Sequence, residues 1–279
     1  MTSTARPLPP SAYSAVAGNI YCASELTRGP WHPDHQHAGP PIALVCRALE
    51  SAAGERGMAH IARLTANLLR PVPIGELTVE VATDYAGRNT AHFSAQLLAG
   101  GKAVARFTAL AQREIGVTLP APEADDPPDA CAPCAPRAPH DSPQTAFPFS
   151  GKAVGYGDLV ETRVARGRIF EGPSAIWFRL RYPLLEGEEP SVYQRVAVAA
   201  DSGNGISAIL DFTKYGFVNS DLTINLLRRP RGEWICLDAR THLGPDGCGL
   251  AESKLFDVDG LVGVATQSLV IRPRDSAQP

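Results

Sequence analysis

The chain has 279 residues, 44% of them hydrophobic and 20% charged, and a net charge of −3. That is room for one large or two ordinary globular domains. Without a basic run or stripe, nucleic acid and anionic membrane surfaces are excluded as expected partners. No apolar run approaches the length of a membrane span, and Met1 is not followed by a basic segment and an apolar core, so no membrane is expected and the cytoplasm is the expected compartment.

Six cysteines are present: Cys22, Cys46, Cys131, Cys134, Cys236 and Cys248. Cys131 and Cys134 form a CxxC with His140 nearby, but a zinc site wants a second pair of ligands and none has suitable spacing. The pair reads as two thiols in a loop. His32, His35 and His37, with Asp34, form a loose histidine cluster that is set aside as a metal site in favour of His37 lining a pocket mouth. Dinucleotide and phosphate-loop motifs are missing, as is the Gly-x-Ser-x-Gly of serine hydrolases. No metal and no cofactor is expected.

In chain order, residues 1–12 are Pro- and Ser-containing and are expected to order late, if at all. A first strand is expected within Ala15–Leu26. A polar loop from Gly29 to Pro41 leads into a helix over Ile42–Ala53, apolar nearly all round and therefore buried, with Pro40 and Pro41 in its first turn and Gly54 as its stop. Residues 61–113 read as an antiparallel meander, with alternation at Leu77–Val81 and turns at Gly87–Asn89 and Gly100–Gly101. Residues 118–149 hold nine prolines and read as an exposed linker. The second half is expected to restart with strands at 159–169 and 174–182. A helix over Ile206–Lys214, introduced by Asp201 and Gly203, is expected next, then strands from Phe217 to Ile271.

The two halves repeat. Leu64-Thr-Ala-Asn-Leu-Leu-Arg70 recurs as Leu222-Thr-Ile-Asn-Leu-Leu-Arg228, Gly75–Val79 aligns with Gly232–Cys236, and Gly101–Leu110 with Gly260–Leu269. The offsets are 158, 157 and 159 residues, too long for a solenoid and right for two similar domains packed as a pseudo-dimer. The expected organisation is an N-terminal domain over 1–117, the linker over 118–149, and a C-terminal domain over 150–279. Each domain would be α+β, a buried helix wrapped by an antiparallel sheet.

This order of elements resembles the double hotdog fold, and the motifs resemble those of the acyl-CoA thioesterase II (TesB-like) family. The stretches that carry the likeness are His37-Ala-Gly39, Leu64–Pro71, Val198-Ala-Ala-Asp201, Val218-Asn-Ser-Asp221, Gly232-Glu-Trp234 and Thr266-Gln-Ser268. The resemblance implies hydrolysis of acyl-CoA thioesters by a water held and activated by an Asp, a Thr and a Gln. These fall on Asp201, Asn219 and Gln267, so that Asn stands here where the family has Thr. Substrate-binding roles fall to His37, Gly39 and Gly203, the glycines as backbone donors to the thioester oxygen. An acyl-CoA or other acyl thioester is the implied partner, and a homo-oligomer is expected. Matching the halves by Gly39 and Gly203 sets His37 opposite Asp201. The strand offsets set Ile61 opposite Asn219 and Thr108 opposite Gln267, so one complete site is expected, not two. The alternatives are a non-catalytic acyl-thioester-binding protein and a hotdog-fold enoyl-CoA hydratase. The hydratase pairs an Asp with a His a few residues on, and no His follows Asp201 before His242.

Overall fold

A computed structural model describes residues 8–118, 136–148 and 153–274. Cys131 and Cys134, the start of the chain to residue 7, and most of the first part of the expected linker lie outside the described residues. In the first half, strands β1 (Tyr13–Ala17) and β2 (Ile20–Ala23) form a hairpin where one strand was expected. It turns at Gly18, whose φ of 55° suits glycine. Helix α1 spans Gly39–Glu55, longer at both ends than its apolar pattern. Its chain reverses at Gly57 (φ 67°), not at Gly54. The meander follows as β3 (His60–Leu68), β4 (Glu76–Ala86), β5 (Thr90–Ala99) and β6 (Lys102–Gln112).

In the second half, a two-residue strand β7 (Gln144–Thr145) pairs with β8 (Val160–Arg166), and the short helix α2 (Tyr156–Leu159) lies between them. The described end of the expected linker is thus part of the sheet, and it is pinned further by a hydrogen bond from Trp177 Nε1 to the Arg137 carbonyl at 2.6 Å. Strand β9 (Ser174–Leu180) leads to α3 (Val192–Ala200) and a single turn α4 (Gly203–Ile206). The expected helix over 206–214 is therefore corrected. The helix precedes Asp201, capped by Ser191, whose hydroxyl accepts from the Gln194 N–H at 3.1 Å. Residues 207–214 are turns, with Ile209 half exposed at 50%. The remaining strands are β10 (Tyr215–Asn219), β11 (Asp221–Leu226), β12 (Ile235–Leu243), β13 (Cys248–Asp257) and β14 (Gly260–Pro273).

The sheet runs β1-β2-β4-β5-β6-β3-β11-β14-β13-β12-β9-β8-β7, with β10 beside β14. Outward from the centre, β3-β6-β5-β4 in one half mirrors β11-β14-β13-β12 in the other. The repeated heptapeptides lie on β3 and β11 and pair with each other. Thr65 opposes Thr223, its own repeat equivalent, and their hydroxyls meet at 3.2 Å. A residue facing its own copy marks the pseudo-twofold axis, so the duplication read in the sequence closes a continuous sheet.

The sheet wraps α1 and α3, which pack against each other antiparallel. Near one end Gly39 abuts Val198, and near the other Ser191 donates to Glu50 Oε2 at 2.7 Å. Ile42, Leu44, Val45 and Leu49 of α1 and Val196 and Val198 of α3 are at most 1% exposed. Each such side chain contributes about 1.5–3 kcal/mol by leaving water. None of the helices is long and apolar enough to cross a membrane, among the described residues.

Candidate active site

At the end of the helix pair where α1 begins and α3 finishes, four expected residues meet. Asp201 is the C-cap of α3, in helical conformation (φ −66°, ψ −15°), and its side chain is 4% exposed. The C-terminal end of a helix disfavours a negative charge. The N-terminus of α1 faces it from the other half and reverses that penalty. Pro40 and Pro41 have no N–H, so Gly39 supplies the free donor of this first turn. Glycine is required at 39 by proximity: a Cβ there would stand 2.5 Å from the Val198 carbonyl oxygen.

Asn219 ends β10, where the chain kinks through Ser220 into β11. Asp221 Oδ1 holds that kink by accepting from the Ser268 N–H at 2.6 Å. The kink aims the Asn219 amide inward. Its Nδ2 donates to Asp201 Oδ1 at 2.8 Å and to the Asp221 carbonyl at 3.3 Å. Gln267, on β14 and 2% exposed, reaches the same turn from behind. Its Nε2 donates to the Asp201 carbonyl at 3.1 Å and lies 3.5 Å from Asp201 Oδ1, while its Oε1 accepts from the Asn204 N–H at 2.9 Å. Gly203 packs on this amide and on Ser253, with room for no Cβ.

His37 completes the cluster. Its Nδ1 is 2.9 Å from Asp201 Oδ2 and 3.2 Å from the Gly39 nitrogen. One nitrogen cannot donate to the first and accept from the second. The shorter contact, to a buried carboxylate, makes Nδ1 the donor, and the Gly39 N–H serves the carboxylate too. Burial alone would raise the Asp201 pKa; the charge and hydrogen bond of His37, then Asn219 and Gly39, outweigh it and hold the carboxyl below its usual range. The His37 ring stacks face to face on Tyr156 (3.8 Å, 4°) with Phe147 edge-on at 6.3 Å. The Tyr156 hydroxyl donates to the Val198 carbonyl at 2.9 Å and meets Ser202 Oγ at 3.0 Å. Burial pushes that phenol far up, so it stays neutral.

A cavity of about 430 Å³ opens on this cluster. His37, Asp201, Asn204 and Asn219 form its polar end, and Leu68, Phe147, Ile206, Phe212 and Val270 are among its apolar walls. Gln267, Gly39 and Gly203 stand behind the wall, not on it. The Asn204 side chain, buried at 6%, has no hydrogen-bond partner among the described residues and opens on the cavity. Sequence reasoning missed Asn204, Tyr156 and Phe147. Matching Gly39 with Gly203 sets His37 opposite Asp201, but those glycines are not structural equivalents: Gly39 begins the long helix α1, whereas Gly203 opens the one-turn α4 after α3, the helix that packs against α1. Of the remaining loop histidines, His32 and His35 stack at 4.3 Å, and no group of three or more His, Cys, Asp or Glu able to hold a metal occurs among the described residues.

Two helix-wrapped half-sheets, joined at a pseudo-twofold axis, define a double hotdog protein. The profile of the acyl-CoA thioesterase C-terminal domain matches residues 128–271, and that of the N-terminal domain matches residues 27–112. The chain belongs to this acyl-CoA thioesterase family and is a thioester hydrolase. Among solved structures, the acyl-CoA thioesterase II TesB2 of Mycobacterium marinum is 16% identical with a TM-score of 0.64, covering 96% of this chain and 97% of its own. A hot dog fold protein of unknown function from Alicyclobacillus acidocaldarius is 17% identical with a TM-score of 0.67, covering 95% and 97%. The TesB protein of Mycobacterium avium is 13% identical with a TM-score of 0.66, covering 94% and 96%. At these identities the likeness speaks to the fold. No curated protein sequence matches.

Proposed function

We propose that the protein hydrolyses acyl-CoA thioesters to the free acid and CoA in the cavity at the α1–α3 seam, with Asp201 as the carboxylate on which the site turns. The observation that carries this is convergence: His37, Asp201 and Asn219, far apart in sequence, meet at the polar end of one apolar cavity. Thioester hydrolysis needs an activated water, a donor for the developing oxyanion, and an apolar space for the acyl group.

The hydrogen bonds divide these tasks. Both Asn219 amide hydrogens go to Asp201 and Asp221, and both ends of Gln267 go to residues 201 and 204. Neither residue therefore keeps a donor for a water; both hold the carboxylate and its turn in place. The Gly39 N–H is turned to the carboxylate as well. The free amide of Asn204 is the donor we assign to the thioester oxygen. The apolar walls suit an aliphatic or aromatic acyl group. We further propose two domains divided as the repeat divides them, with residues 136–148 serving the second.

The pairing of His37 with Asp201 gives the hydratase reading the histidine that the sequence around Asp201 lacks. A panel of saturated acyl-CoAs and 2-enoyl-CoAs separates the readings, with free thiol and enoyl absorbance followed together. Thiol release from saturated substrates is the expected outcome. Enoyl loss without thiol would mean hydration, and tight binding with neither would mean a non-catalytic binding protein.

A further inference from the structure

We infer that His37 is the general base of this site and that Asp201 acts through it, an assignment that rests on the thioesterase reading. The first ground is occupancy. Asp201 Oδ1 takes the Asn219 amide and lies near Gln267, and Oδ2 takes His37, so the carboxylate is engaged on both oxygens within the protein.

The second ground is the ring itself. With Nδ1 donating to Asp201, neutral His37 has its lone pair on Nε2. That nitrogen has no hydrogen-bond partner among the described residues and is not sealed off, for the ring lines the cavity and stays 10% exposed. The stack on Tyr156 fixes the plane of the ring, and the hydrogen bond from the His37 backbone N–H to the Thr27 carbonyl at 2.8 Å anchors the residue. Asp201, at the end of α3, and Tyr156, from α2, touch the ring, and Arg70 and His35 line the same cavity. The base comes from one half of the chain and its carboxylate from the other, so this site exists only at the seam.

The reaction follows with its electrons accounted for. A cavity water gives a proton to Nε2 as its oxygen attacks the thioester carbonyl carbon. The carbonyl π pair moves to oxygen, facing the Asn204 amide. The pair returns, the carbon–sulfur bond breaks, and the sulfur leaves with those electrons and takes the proton from Nε2. One water and one thioester become one acid and one thiol, and His37 and Asp201 end as they began.

His37→Asn tests this directly. The Asn amide nitrogen can take the place of Nδ1 and keep the donor to Asp201, but it has no second nitrogen. We expect kcat to fall by about 10²- to 10⁴-fold, with KM and melting temperature near wild type. In His37→Ala, added imidazole should restore part of the turnover. Full activity in His37→Asn beside an inactive Asp201→Asn would overturn the inference and make Asp201 the base, leaving the thioesterase reading intact. Wild-type protein that releases no thiol from any acyl-CoA would overturn the reading itself. Should His37→Asn fail to fold, the imidazole rescue of His37→Ala is read against the same outcomes.

Discussion

The two ends of the antiparallel helix pair are built alike and end up different. Each buries a carboxylate, a histidine and a tyrosine: Asp201, His37 and Tyr156 at one end, Glu50, His60 and Tyr193 at the other. At the second end His60 is used up, with Nδ1 3.0 Å from the Tyr193 hydroxyl and Nε2 3.1 Å from the Leu226 carbonyl. Glu50 is held by Ser191 and Gln194, whose hydrogen bonds fall short of the cost of burial, so its pKa is raised where that of Asp201 is lowered. A buried polar cluster becomes a reactive site where one ring nitrogen is left facing a cavity while the other donates to a buried carboxylate. Where both ring nitrogens are taken, as in His60, the same residue types only join two helices.

The comparison can be broken most sharply at Asp201. Replacing it by Asn keeps the size but lets the new amide donate to His37 Nδ1, which drives the ring's hydrogen onto Nε2. We expect kcat to drop by about 10³-fold, the scale for losing a base or its tautomer, with KM little changed in steady-state thiol release. If turnover survives, the polar end of the cavity is not where the chemistry happens.

Gln267→Ala should act more weakly on rate and more strongly on folding. It strips partners from the buried Asn204 N–H and Asp201 carbonyl, each worth about 1–3 kcal/mol when left unpaired. The turn carrying Asp201 should loosen, lowering kcat by about tenfold and the unfolding free energy measured in denaturant. A variant as stable as wild type would show that the turn is held elsewhere.

Glu50→Gln is the smallest expected effect and the control for the other end. The folded pKa of Glu50 lies above the unfolded value of about 4.3, so burial of its charge weakens the protein at neutral pH, and that penalty is relieved as pH falls through the folded value toward the unfolded one. The Gln variant should match or exceed wild-type melting temperature at pH 7, lose that advantage toward acid, and leave turnover unchanged. Asp201 has the opposite sign: its contribution is present above about pH 3.9 and is lost as pH falls through its lower folded value. Thermal melts at several pH values read both.

The sequence by itself determined the duplication and the pseudo-dimer it implies, whereas the pairing of β3 with β11 that joins the two sheets came from the tertiary structure. It determined α1 and most strands, since alternation and apolar runs report directly which faces leave water. Where it misled, burial was the reason. Residues 193–200 are buried throughout, a short segment whose apolar run is interrupted by Gln194 and Arg195, whereas Ile206, Ile209, Leu210 and Phe212 imitate a helical stripe across a run of turns. Asp201, Asn219 and Gln267 were legible as a set, yet their hydrogen bonds were not: Gln267 turned out to stand behind the cavity wall, its amide spent on the backbone. Only the tertiary structure decided that the start of α1 would approach the end of α3 closely enough to set His37 against Asp201, 164 residues away. That approach depends on how two whole half-sheets pack around their helices, and no local pattern of residues encodes it.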